Sequence, residues 1–417
     1  MRTHATYLAA SVLLALASAP SWATNGYLAN GYGTDAEGVA GVGIALPQDA
    51  LAAAANPAGV ALVGNRVDGG LDLFIPQRSA DVHGNGYGMD GNYNGNATRQ
   101  FYIPNFGVSY QLSPTVGFGL AVYGNGGMDS DYSKNPYAAF GGQGSAGVDL
   151  AQLFVTPALA WKFAPGNSVG LGINLAYQTF SAKGLGAFAS DTNSPANLDN
   201  DQKASALGEG VRLGWIGQIT PQVSLGATWA SRTNMGKLNK YQGLFADQGS
   251  FDIPENFGAG LSFKATPNLT LSTEFQRILY SQVPAVSDSL APLLQGVPLG
   301  ASDGPGFGWQ NINVYRIAAI YDWSDALTLR AGFSHSNQAV PSSQTLINIL
   351  APGVVQDHAT LGASLKVNQN GELSFAYVHG FKKTVSGVNS IPESFGGGNA
   401  DVSLAENLFS VSYGWKF

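Results

Sequence analysis

The chain has 417 residues, with 20 basic and 27 acidic side chains, a formal net charge of −7 and no cysteine. Charged residues make up only 11 %, against roughly 25 % in ordinary soluble domains, while hydrophobic residues reach 45 % and glycine fills 55 positions without an every-third-residue rule. These figures argue against extensive disorder, a collagen-like rod, disulfide staples and thiolate metal sites, and an acidic balance with no lysine or arginine cluster leaves no footprint for nucleic acid.

In chain order, the first element is an export signal. Arg2 and His4 precede an apolar run from Tyr7 to Leu16 and the small-x-small sequence Ser21-Trp22-Ala23, so cleavage is expected after Ala23. Ala17-Ser18-Ala19 is the poorer site because Pro20 would follow the scissile bond. No other stretch approaches the ~20 apolar residues of a membrane-spanning helix. An exported chain rich in glycine and aromatics can still cross a membrane as a β-barrel.

Residues 24–65 follow and do not alternate. They contain Thr24-Asn25-Gly26-Tyr27, Gly38 through Gly43, and Leu46-Pro47-Gln48-Asp49-Ala50, with one or two helical turns predicted over Leu51 to Ala55 and a stop at Asn56-Pro57-Ala58-Gly59. A linker hanging in the periplasm is one reading. The apolar composition argues against a solvated tail and favours a plug folded into a barrel lumen.

From residue 66 onward the pattern is period two, the signature of a half-buried strand. Phe409, Val411, Tyr413, Trp415 and Phe417 form one face, and Ser410, Ser412, Gly414 and Lys416 the other. Leu361/Ala363/Leu365/Val367, Val169/Leu171/Ile173/Leu175/Tyr177 and Val223/Leu225/Ala227/Trp229 repeat it. A soluble sandwich alternates too, but charges almost never fall on the apolar parity, and Trp and Tyr sit near strand ends as in an interfacial girdle. Strands are predicted at 66–82, 99–112, 115–124, 148–163, 167–183, 205–219, 222–233, 251–264, 268–280, 311–323, 326–337, 355–367, 371–385 and 403–417. Tight turns at Ser113-Pro114, Ala164-Pro165-Gly166, Thr220-Pro221, Ala265-Thr266-Pro267, Ser324-Asp325 and Asn368-Gln369-Asn370 alternate with long polar loops at 83–98, 125–147, 184–204, 234–250, 281–310, 338–354 and 386–402. Short turns on one side and long loops on the other are the build of an outer-membrane barrel. The expected architecture is all-β: a fourteen-stranded antiparallel transmembrane barrel (66–417) behind a plug (24–65) and a signal peptide (1–23).

The chain also resembles a known family. Asn25-Gly26-Tyr27, the run Gly38 through Ala45, Pro47-Gln48-Asp49 and Asn56-Pro57-Ala58-Gly59, with Ile253-Pro254-Glu255-Asn256-Phe257 and Val355-Gln356-Asp357-His358 in weaker support, are similar to the FadL/TodX/OmpP1 group of Gram-negative outer-membrane transporters. The resemblance covers all of 24–417. It implies a hatch closing a fourteen-stranded barrel, a kink in the third strand that opens sideways into the bilayer, and passive uptake of long-chain fatty acids or of aromatic or aliphatic hydrocarbons, with no enzymatic activity and no cofactor. The partners expected are a hydrophobic small molecule, outer-membrane lipid and lipopolysaccharide, and the barrel-assembly machinery through Phe417, with the chain acting as a monomer.

Alternation places Arg212, Arg232, Glu274, Arg316, Arg330, Lys366, Glu372 and Lys416 on the lumen face. Lys366, Glu372 and Lys416 are expected on a solvated periplasmic rim. Arg212, Glu274, Arg316 and Arg330 lie nearer the middle, where they either pair with one another and the plug or grip a cargo carboxylate. Asn25, Gly26, Tyr27, Asn56, Pro57 and Ala58 are the candidate plug and gate residues. Val116, Phe118, Leu120 and Val122 alternate cleanly until Gly124-Asn125-Gly126-Gly127 ends the pattern; glycine in a strand marks a bulge or kink, so these four are the candidate side opening, a plain strand end being the alternative. The apolar loop stretches Val283 to Leu299 and Leu346 to Leu350 either collect cargo or pack on each other. A porin is the nearest competing function and an outer-membrane lipase a more distant one. The five histidines make no close-spaced ligand motif, and His335 and His358 are expected at the rim.

Overall fold

The computed structural model describes residues 24–199 and 201–417; the export signal and its cleavage site lie outside the described residues. Eighteen strands make one hydrogen-bonded sheet. Four are short, at Thr24–Asn25, Leu28–Ala29, Gly91–Asn94 and Asn234–Met235. The other fourteen form the wall: β1 Arg66–His83, β2 Phe101–Gln111, β3 Val116–Tyr132, β4 Ala146–Ala164, β5 Asn167–Lys183, β6 Ala204–Gln218, β7 Val223–Ala230, β8 Asn256–Thr266, β9 Leu269–Ile278, β10 Ile312–Asp322, β11 Leu327–Ser336, β12 Asp357–Lys366, β13 Gly371–Val385 and β14 Asn399–Lys416. Each pairs antiparallel with the next. β14 returns to β1 from Asn399↔His83 to Lys416↔Arg66, so the fourteen-stranded barrel closes.

Closure satisfies the backbone inside the wall, which is what hydrocarbon demands. The apolar parity then faces outward: Leu171 is 51 % exposed, Leu361 62 % and Phe409 49 %, whereas their neighbours Asn174, Thr360 and Ser410 are buried inside. Trp161, Trp323 and Trp415 stand exposed near the short-turn ends, as an aromatic girdle requires.

Four strand predictions change: β14 begins at Asn399 and not at 403, and the other three bear on the site. β3 does not end at Gly124 but runs on to Tyr132, with a bulge where the register against β4 slips between Gly124 and Gly126. β8 starts at Asn256, because Phe251 and Ile253 turn inward and are buried. β7 stops at Ala230, so Arg232 lies beyond the wall, exposed, with its guanidinium 3.5 Å from Asp252; it is not a lumen charge.

Residues 24–65 pack against inward-facing positions of the wall. Short helical turns at Thr34–Glu37 and Ala52–Ala55 and a 3₁₀ segment at Pro57–Ala61 pack against the inner face. Many of the inward positions they meet are glycine. A Cβ on Gly170 would strike the Pro57–Ala58 backbone, one on Gly214 the Asn56 side chain, one on Gly226 the Ile44 carbonyl and one on Gly332 the Val39–Ala40 backbone. Much of the glycine content is therefore the space this luminal segment occupies.

Candidate functional site

Asn56 is fully buried and ties the segment to the wall. Its amide donates to Ile44 O at 2.7 Å, Trp215 O at 3.1 Å on β6 and Ala227 O at 3.3 Å on β7, and its Oδ1 accepts from Ala58 N. The segment also carries carboxylates. Asp35 meets Arg330 at 3.3 Å and accepts from Ser364. Arg66, bonded to Asp68 and Glu372, donates to Gln48 O, while Asp68 accepts from Ala50 N. Glu372 is thus a partner of Arg66 and not a solvated rim residue; Lys366 and Lys416 are exposed at the rim as expected.

The four central charges divide into two pairs. Arg330 is used up by the segment and by β12: Nε donates to Gln48 Oε1 at 2.9 Å and Nη2 meets Asp35, while Nη1 donates to Ser364 of the wall. Glu274 accepts from Gly43 N at 2.9 Å and Ile44 N at 2.5 Å. Although Glu274 and Arg316 are cross-strand neighbours, each keeps an unpartnered buried atom, Oε2 and Nε. Arg212 donates to Ala55 O at 3.3 Å and also interacts with the Tyr123 hydroxyl, while its Nε is unpartnered too. Arg212 and Arg316 both act electrostatically on Tyr32, whose hydroxyl donates to Asn125 at the β3 bulge.

The tip of the segment docks on that bulge. Leu28 pairs with Gly126, and Gly127 N donates to Tyr27 O at 2.9 Å. Tyr27 packs its ring against Phe251, Tyr280 and Trp309; the Tyr280 hydroxyl donates to Asn25 O and accepts from Tyr27 N. Gly26 turns here at φ +73°, where a Cβ would enter the Tyr280 ring.

On its other edge β3 lacks a full neighbour. The β2–β3 ladder runs from Gln111↔Gly117 to Phe106↔Val122 and stops among the described residues. Phe101–Asn105 of β2 bond to β1 only, and Pro104 within that stretch has no N–H to offer. Beyond the gap, an Asn96↔Asp131 bridge joins the β1–β2 connection to β3.

Two cavities lie along the interior. On the long-loop side, one of about 40 Å³ is walled almost wholly by apolar side chains, including Leu290, Leu293, Leu299, Leu346, Ile347 and Leu350; it unites both apolar loop stretches. A second, of about 30 Å³, lies beside the gap and is lined by Gly26, Phe74, Arg78, Met128, Asp129 and Leu404 together with Ala351, Pro352 and Gly353. One loop separates them, since Leu350 lines the first and Ala351 the second.

Residues 14–417 match the family described as outer membrane protein transport protein (OMPP1/FadL/TodX). The chain belongs to that family. Its fold is similar to the toluene transporter TodX of Pseudomonas putida (18 % identity, 93 % of this chain and 99 % of that one, TM-score 0.71). It is similar also to a Pseudomonas aeruginosa FadL homologue (17 % identity, 94 % and 100 %, TM-score 0.70) and to the Ralstonia pickettii toluene transporter TbuX (17 %, 93 % and 99 %, TM-score 0.66). No curated protein matches the chain in sequence. This is therefore an outer-membrane β-barrel of a transport family, and the family is not an enzymatic one.

Within this family member, sequence reasoning overlooked the lumen charges of β1. Arg66, Asp68, Asp72 and Arg78 are all buried on one parity, opposite Leu71, Leu73 and Ile75, and the alternation rule applied to β12 would have found them. His335 is exposed at a strand end against Asp357, but His358 is not a rim residue. It is fully buried between Glu406 at 3.2 Å and Ser334 at 3.4 Å. Ser334 in turn donates to Asn30, so these side chains brace the luminal segment.

Proposed function

We propose that this protein takes up hydrophobic small molecules passively across the outer membrane, by way of the two cavities, and releases them sideways into the bilayer between β2 and β3. The carrying observation is the coincidence of three features: the ladder stops at Phe106–Val122, the inner cavity opens beside the stop, and the tip of residues 24–65 is docked on the same stretch of β3. Cargo in the loop cavity meets the 346–354 loop first and the Asn25-Gly26-Tyr27 tip next. Displacing the tip frees the Gly124–Gly127 bulge and joins the cavities to the gap.

The energetics favour a sideways exit. Each CH₂ removed from water contributes roughly 0.8 kcal/mol, so release of a long chain into the periplasm would be uphill by several kcal/mol, whereas the bilayer keeps it dry. Arg212 and Arg316, each with an unused Nε, supply the cationic recognition point, while Arg330 and Glu274 hold the plug. The cargo class fits long-chain fatty acids or aromatic or aliphatic hydrocarbons, the aromatic part supported by the toluene transporters among the structural relatives.

Deletion of the gene followed by growth on single hydrophobic carbon sources tests the reading. Loss of growth at limiting concentrations on at least one fatty acid or hydrocarbon, restored by the intact gene, is the expected result. A porin would instead show open ionic conductance in planar bilayers and no such growth defect, and that pair of results would replace this reading.

A further inference from the structure

Arg78 occupies the gap itself. It extends from β1, is 2 % exposed, and reaches past the missing part of β2 to β3, where Nη1 donates to Asp129 O at 2.7 Å and pairs with the Asp129 carboxylate. Nη2 donates to Thr98 O in the β1–β2 connection, and the guanidinium lies 5.8 Å from the centre of the Phe101 ring. One side chain thus links β1 directly to β3, which share no ladder among the described residues, and adds to the Gly91–Asn94 ladder and the Asn96↔Asp131 bridge through which the β1–β2 connection already touches each.

The pair also divides two cavities. Arg78 and Asp129 line the largely apolar inner cavity, with Phe74, Met128 and Leu404. Asp129 lines in addition a polar cavity of about 210 Å³ with Thr98, Asp131, Asp149 and Lys183, in which Asp131 is paired with Lys183 and Asp149 with Lys203. Beside the inner cavity, which Arg78 lines, the guanidinium has a spare donor, since Arg78 Nε is buried without a hydrogen-bond partner.

We infer that the Arg78–Asp129 pair is a latch on the side gap, and that an anionic head group on the cargo is the key that opens it. Widening the gap for a neutral molecule strips both buried charges of their partner, which is strongly unfavourable. A carboxylate arriving in the inner cavity takes the free edge of the guanidinium in two-pronged fashion and replaces Asp129. Asp129 then turns into the polar cavity, where it is hydrated. The latch therefore slows neutral hydrocarbons more than carboxylates of the same chain length. This inference rests on the side exit proposed above.

Uptake of radiolabelled dodecanoate and dodecane is measured in intact cells that lack other hydrophobe channels and carry the full chain. Asp129→Asn is expected to raise dodecane uptake several-fold with dodecanoate near the wild-type rate. Arg78→Gln is expected to raise dodecane and lower dodecanoate, reversing the preference. Unchanged dodecane rates in both variants, or equal gains for both probes, overturn the latch. Should Arg78→Gln fail to assemble on heat-modifiability gels, Arg78→Lys keeps the charge but loses the two-pronged grip, and an undiminished dodecanoate preference in it is equally fatal. The side exit is tested separately. Because the chain has no cysteine, Arg78→Cys with Asp129→Cys can be bridged by a reducible bifunctional methanethiosulfonate. A block of both probes that reductant lifts supports the exit; no block removes the exit itself, whatever the single variants show.

Discussion

Asn56 shows how much one side chain holds in place. Its amide reaches three carbonyls on two wall strands and on the segment itself, and these partners would lose it together on truncation. A buried polar group left unsatisfied costs about 1–3 kcal/mol. Asn56→Ala is therefore expected to loosen residues 24–65 while leaving the closed wall intact, seen as ion leakage in planar bilayers with a normal heat-modifiable gel shift. The two classes of central arginine should separate as well. Arg330→Gln removes contacts to Gln48, Asp35 and Ser364 and is expected to raise conductance. Arg212→Gln and Arg316→Gln, which each spend few donors on the protein, should instead weaken binding of a fatty carboxylate, measured by titration of the purified protein, without a change in leakage. Equal leakage from all three variants would show that all brace the plug alike.

At the scale of the element, the strands were legible because lipid imposes one rule on every outward position, and that rule is local in sequence. The third strand shows where the rule runs out. The pattern breaks at Gly124-Asn125-Gly126-Gly127, which suits a strand end as well as a bulge; what decides for the bulge is the Tyr27 carbonyl, far earlier in the chain, bonded to Gly127 N. Likewise the Arg78–Asp129 pair spans 51 positions, a contact that no spacing rule reports. Parity did place Arg212, Glu274, Arg316 and Arg330 in the lumen, but their division into tied and untied groups depends on the segment they face. The bulge makes a specific expectation. A Cβ at Gly126 would overlap the Tyr27 carbonyl, so Gly126→Val should evict the tip from β3 rather than straighten the strand. Uptake should fall, and a thiol introduced by Leu28→Cys, buried against β3 in the docked tip, should become reactive to a membrane-impermeant reagent. A protected thiol in the Gly126→Val background would show that the tip tolerates the substitution.

For the whole molecule, the question is whether wall and filling are separable. Every one of the fourteen wall ladders, including the closure of β14 on β1, is formed without residues 24–65, whereas the segment leans on the wall through Asn56, Asp35, the Gly43 and Ile44 amides and the Tyr27 tip. The barrel is thus expected to assemble without its N-terminal part. The converse dependence is weaker but present: removing residues 24–45 takes Asp35 away from Arg330 and the Gly43 and Ile44 amides away from Glu274. It leaves those charges facing a lumen that, in a ring of this strand number, is wide enough to fill with water. Water then solvates them, so the loss costs little in stability and much in permeability. A chain lacking 24–45 should migrate as a folded barrel before heating, conduct ions steadily in planar bilayers where the intact chain shows little current, and lose its preference for hydrophobic cargo. Uptake at the intact rate with no added conductance would mean that the lumen is sealed by the inward loops, Thr345–Asn348 above all, and that residues 24–45 take no part in the barrier.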